Sequence, residues 1–204
     1  MSRFVPLYLR SRRVPAAVAA SAGAIAAVAA AWAGMTKDAQ VNTGLTVLTA
    51  ALAAVPFAPT LAGNDAALEK TAALPWPPRR VLHLVACGVL VAGLLIAARL
   101  VGTDFGPEKA LVRNAAGLIG LIGLGTALAG ARHAWQVPLA WAAVQCLLQV
   151  PGGPGWRQVA LWMIQPPENR IGAITAGAFL AAGVIGYALR VGPPVSAAEA
   201  SLEQ

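Results

Sequence analysis

The sequence predicts an all-α, polytopic membrane protein with six transmembrane helices. Three observations predict it. Hydrophobic residues fill 58% of the 204 positions and charged residues only 11%, against about 25% charged in a soluble domain. The mean hydropathy is +0.67. The apolar residues also gather into runs near the roughly 20 residues that a helix needs to cross a bilayer, too many to be buried in one soluble core.

Six runs qualify: Val14 to Gly34, Thr43 to Gly63, Val81 to Val101, Asn114 to Gly130, Trp135 to Val150 and Ile171 to Arg190. The fifth is the shortest and carries Gln136, Pro138, Gln145 and Gln149. They divide the chain into an N-terminal interfacial segment (1–13), a six-span domain (14–190) and a polar tail (191–204). Basic residues set orientation in membrane proteins. Arg3, Arg10, Arg12, Arg13, Lys70, Arg79, Arg80, Arg132 and Arg190 fall on one side, nine of the fifteen Lys and Arg. Lys37, Arg99, Lys109, Arg113, Arg157 and Arg170 fall on the other. The bias puts both termini in the cytoplasm of a multi-pass plasma-membrane protein. The net charge of +7 is thus spent on orientation, and no basic face suited to nucleic acid forms.

In "MSRFVPLYLRSRR", Phe4, Val5, Leu7, Tyr8 and Leu9 interleave with four arginines, as suits a helix lying among headgroups; a disordered basic leader is the alternative. Ser11-Arg12-Arg13 before an Ala-rich run also resembles a twin-arginine export signal. The run is long enough to span and five more follow, which favours a retained helix. Span two ends "VPFAPTLAG", where Pro56 and Pro59 bend the helix, either as a lever or as a static kink. Span four reads "GLIGLIGLGTALAG". Gly117, Gly120 and Gly123 recur every third residue, the small-residue stripe that lets helices pack closely in lipid.

Chemistry-bearing patterns are missing from the sequence. All eight acids fall in loops or tails, so no intramembrane carboxylate offers ion coupling. His83 and His133 stand on different spans without HExxH or GxSxG, and no lysine has a Walker A context. Cys87 and Cys146 form no CxxC pair and read as small buried hydrophobes. Trp141, Gln145 and Gln149 of span five are candidate walls of a substrate pathway, with bonding to a neighbouring helix as the other reading. In the loop 151–170, Trp156, Val159, Ala160 and Met163 fall at helical spacing before Pro166 and Pro167. That predicts a short external helix over 156–165, dipping into the bilayer or lying on its surface.

The passage "NDAALEKTAALPWPPRR" is the most polar interruption between spans. Asn64 or Asp65 caps a short helix carrying Glu69 in its first turn, Leu74-Pro75 stops it, Trp76 anchors it, and Arg79 and Arg80 hold the start of span three. The arrangement resembles the permease subunits of ABC-2 type transporters, particularly small actinobacterial exporter permeases. In that family six spans carry an N-terminal interfacial helix, a cytoplasmic coupling helix between spans two and three, and a short external segment between spans five and six. The coupling helix often bears an acid, a threonine and then "LP". The resemblance implies that Leu68, Glu69, Thr71, Leu74, Pro75 and Trp76 meet a separate ATPase subunit. It also implies that ATP and Mg are held by that subunit and none by this chain, and that a second permease copy or paralogue completes the pathway. The implied cargo is amphipathic, lipid-like or peptide. A membrane scaffold or regulatory subunit that transports nothing is the alternative.

Overall fold

The computed structural model describes residues 4–62 and 76–189. Helix α1 (Phe4–Ser11) is followed by a break at Arg13, whose φ of 54° is left-handed, and by α2 (Val14–Met35) with Pro15 in its first turn. Helix α3 (Thr43–Ala54) opens on Asn42, whose side chain accepts the Leu45 N–H at 2.8 Å. It tightens into a 3₁₀ helix over Val55–Leu61, where the two prolines sit. Helix α4 covers Trp76–Ala97 and runs on as 3₁₀ to Val101; α5 covers Glu108–Ala129. After α6 (Gln136–Leu148) come α7 (Gly155–Ala160), a 3₁₀ turn at Trp162–Ile164, and α8 (Arg170–Leu189).

Five of these elements are long and apolar enough to cross a membrane: α2, α3 with its 3₁₀ extension, α4, α5 and α8. The described residues are accordingly all-helical, and their five long apolar helices are compatible with a multi-pass membrane protein. Among the described residues the extended pairing is confined to an isolated bridge between Gln40 and Asp104. The expected fifth span is shorter than the sequence suggests. Its helix has 13 residues, about 20 Å at 1.5 Å per residue, against a hydrocarbon core of about 30 Å. Gln149 leaves the helix at φ 33° and Pro151-Gly152-Gly153-Pro154 cannot extend it.

Helices α5 and α8 run parallel. A side chain at Gly172 would meet Arg113, one at Gly120 would meet the backbone of Phe179 and Leu180, and one at Gly186 would meet Ala127. The chain must therefore be carried back between them, and α6 does this. It starts beside α5, where Ala134 meets Gly125, and ends beside the start of α3, where Gln149 meets Gly44. α3 and α5 form the buried centre, while α2 and α8 turn most of their surface outward. Phe57, Leu84, Leu95, Leu118, Ile119, Ile122 and Trp162 fill the core.

The proximal end of the bundle is taken here as the one bearing α1. The described acids Asp38, Asp104, Glu108 and Glu168 all lie at the opposite, distal end. There Val41 donates its N–H to the Asp104 carbonyl at 2.9 Å, and Asp104 returns one to Ala39 at 2.8 Å. The Asp104 carboxylate accepts from the Gly106 N–H and from Arg99, and these hold it below the usual carboxylate range, Gly106 most of all. Lys109 bridges to Glu168 at 3.0 Å, tying the start of α5 to the turn before α8.

Candidate functional site

Two buried polar clusters sit at opposite ends of the bundle, each built around an arginine that bonds to backbone carbonyls. The proximal one follows from how α3 ends. A helix terminus leaves its last carbonyls without intrahelical donors, and here the terminus is a proline-bearing 3₁₀ turn. Arg12, only 8% exposed, supplies donors. Its Nη1 shares protons among the carbonyls of Thr60, Leu61 and Ala62 at 3.3, 3.3 and 3.1 Å, and Tyr187 Oη at 3.3 Å. Tyr187, in the last turn of α8, donates its own proton to Leu61 O at 2.8 Å.

Thr60 gives its one hydroxyl proton to Phe57 O at 2.7 Å, so its 3.1 Å bond to His83 requires the imidazole Nε2–H to donate. Tyr8 of α1 stands edge-on to that imidazole, with centroids 5.8 Å apart, and the Arg12 guanidinium lies 5.5 Å from the Tyr8 ring centre. Arg80, one turn before His83, reaches the Ala188 carbonyl of α8 at 3.5 Å. The end of α8 thereby holds Leu61 on one flank of the segment 63–75 and Arg80 on the other. The expected coupling residues Leu68, Glu69, Thr71, Leu74 and Pro75 lie outside the described residues, and Trp76 contributes the first backbone position of α4. A Tyr187→Phe variant removes one donor and one acceptor from this cluster without opening a cavity. It should cost about 1–2 kcal/mol, measured as a lower thermal midpoint of the purified protein in detergent.

The distal cluster fixes the short helix that follows α6. Arg113, 7% exposed, donates from Nη2 to the carbonyls of Met163 and Gln165 at 3.0 and 2.8 Å. Its Nη1 reaches Pro166 O at 2.9 Å and its Nε reaches Asn114 Oδ1 at 3.2 Å. Asn114 adds a second bond to Met163 O at 3.0 Å. From α6, Gln145 accepts the Met163 N–H at 3.0 Å, and Trp141 donates to Ala160 O at 2.7 Å. The Gln165 side chain closes the loop by accepting the Gly152 N–H at 2.9 Å. Trp162 is fully buried with its indole laid on Gly117, tilted against Phe179 at 6.0 Å, and Trp141 meets Phe179 edge-on at 5.4 Å. Residues 161–165 are thus set into the bundle, bonded to α5 and α6 and packed through Trp162 on Phe179 of α8. Gln145 Nε2 and Trp162 Nε1 are buried there without a hydrogen-bond partner among the described residues.

These positions give the pathway candidates definite contacts. Trp141 and Gln145 face the 155–165 segment, and Gln149 is exposed, bonded to Cys146 O at 2.9 Å and set against Gly44. The glycine stripe of α5 meets three different surfaces: Gly117 the Trp162 ring, Gly120 the backbone of α8, and Gly123 the Leu84 side chain with the Gly183 carbonyl. Sequence reasoning missed Arg12, Arg113, Asn114 and Tyr187 as a set. The signal was present, since a polar side chain at the end of an apolar run needs a partner. No family model, curated protein or solved structure matches the chain.

Proposed function

We propose that the chain is the membrane-spanning permease subunit of an ATP-driven ABC exporter, moving an amphipathic, lipid-like or peptide substrate across the plasma membrane. The observation that carries this reading is the proximal cluster. Both flanks of the 63–75 segment are bonded to the end of α8, and α1 is keyed to the same point through Arg12 and Tyr8. Because both flanks are tied to the end of α8, a displacement that reaches either flank passes into the bundle. The reading counts six crossings, the fifth made by the shortened α6, with both termini cytoplasmic. Leu68, Glu69, Thr71, Leu74, Pro75 and Trp76 are its ATPase-docking residues, and ATP and Mg belong to the partner. A second permease copy or paralogue supplies the other half of the pathway.

A non-transporting scaffold is favoured by one observation, that Trp141 and Gln145 are occupied in holding the 155–165 segment. Co-purification with an ATPase subunit separates the two readings. Under the permease reading the wild-type chain retains the ATPase, and Glu69→Lys or Leu74→Asp lowers retention at least tenfold while leaving the midpoint of the permease unchanged. Equal retention by wild type and both variants would sink the docking assignment. Uptake driven by an ion gradient in ATP-free vesicles would sink the ATP-driven reading altogether.

A further inference from the structure

We propose that Arg10 and Arg13 form a binding surface for anionic phospholipid headgroups in the leaflet at the proximal end of the bundle. Three arginines within four residues have different surroundings. Arg12 is buried in the carbonyl cluster, whereas Arg10 and Arg13 are exposed. Tyr8 touches α4 while Arg12 reaches α3 and α8, so α1 lies across the end of the bundle with Arg10 directed outward. Leu7, one turn before Arg10 and on the same face, is 64% exposed. An exposed leucine beside an exposed arginine, at the foot of a spanning helix, suits the boundary between acyl chains and headgroups.

Charge decides which headgroup. Among the described residues no acid lies at this end, since Asp38, Asp104, Glu108 and Glu168 are all distal. A guanidinium fits phosphate oxygens in a bidentate fashion, and a choline cation would be repelled by the same pair. Arg13 adds a backbone argument. Its φ of 54° is a conformation that glycine or asparagine adopts at lower cost. A strained arginine is explained when its side chain is used, and its backbone contributes only the break between α1 and α2.

The test uses the full chain in detergent, titrated with phosphatidylglycerol or phosphatidylcholine and read by native mass spectrometry. Phosphatidylglycerol should bind at least tenfold more tightly than phosphatidylcholine at low salt, with the preference shrinking at high salt. At about 5-fold per arginine, Arg10→Gln with Arg13→Gln should weaken phosphatidylglycerol roughly 25-fold and leave phosphatidylcholine unchanged. Arg13→Gly separates binding from folding: it should raise the thermal midpoint by relieving the backbone, yet lose about 5-fold in phosphatidylglycerol affinity. Equal binding of the two lipids would overturn the proposal and leave an acidic protein face as the occupant. It would also fall if the double variant kept the preference, if Arg13→Gly bound phosphatidylglycerol as wild type does, or if millimolar inorganic phosphate displaced the lipid.

Discussion

Replacing Arg113 with leucine should destabilise the protein by about 3–5 kcal/mol, because it orphans buried carbonyls at about 1–3 kcal/mol each. The guanidinium donates to Met163, Gln165 and Pro166, and the first two bonds are fully buried. Leucine fills part of the volume and none of the bonding. Asn114 retains its own bond to Met163 O, so the Gln165 carbonyl suffers most. Arg113→Lys keeps a donor but not the planar fork that spans three carbonyls, and should recover less than half of the loss. The effect should be local as well as global. Amide exchange across 155–166 should rise by orders of magnitude in the leucine variant, while α5 and α8 near Gly120 and Gly183 keep their protection. The thermal midpoint should fall roughly 10 °C. A midpoint within 1 °C of wild type, with unchanged exchange at Met163, would show that the cluster does not hold the segment.

This cluster also shows which parts of the molecule can be read from the chain alone. The five long helices were legible because a membrane-crossing helix is mostly a matter of length and composition, and α2, α4 and α8 have both. The fifth span, expected over Trp135 to Val150, ends at Leu148 because the backbone turns left-handed at Gln149, which composition does not show. The short helix expected over 156–165 is helical only over Gly155–Ala160, with Trp156 and Val159 exposed, and Met163 falls in the 3₁₀ turn beyond Leu161. Its insertion depended on Arg113 lying some 50 positions away, a distance that local pattern does not cover. Arg113 counted only as a charge setting orientation, and Arg12 as that, as a headgroup-facing residue or as part of an export signal, though each is buried against carbonyls at a helix or turn end. Trp141 and Gln145 read from polarity alone as pathway walls or as bonding partners of a neighbouring segment, and each makes one bond to residues 160–163. The glycine stripe announced close approach without naming what approaches, since one period of three serves a ring, a backbone and a leucine equally well.

The crossing of α5 and α8 should be the least tolerant place in the protein. Lipid offers no hydrophobic drive between helices, so their association rests on close van der Waals contact, and that contact depends on the absence of side chains. A Cβ at Gly120 would stand 2.5 Å from the Leu180 backbone, and one at Gly183 would run into the Gly120 carbonyl. Neither obstacle is a rotatable side chain, so relief requires the helices to separate along their shared length. Gly183→Ala should therefore cost at least about 3 kcal/mol, the upper end for overpacking a rigid site, and Gly183→Leu should yield no folded protein. The same helix supplies the control. Gly177 is exposed with open space where a Cβ would stand, so Gly177→Ala should hold or raise the midpoint, as alanine favours helix over glycine by up to about 1 kcal/mol. Thermal midpoints of the two alanine variants in one detergent decide the matter. If Gly183→Ala and Gly177→Ala unfold together, α5 and α8 do not cross at Gly120 and Gly183. If only Gly183→Ala falls, and Leu84→Ala fails to rescue it, the obstacle is the opposing backbone and not the leucine that packs on Gly123.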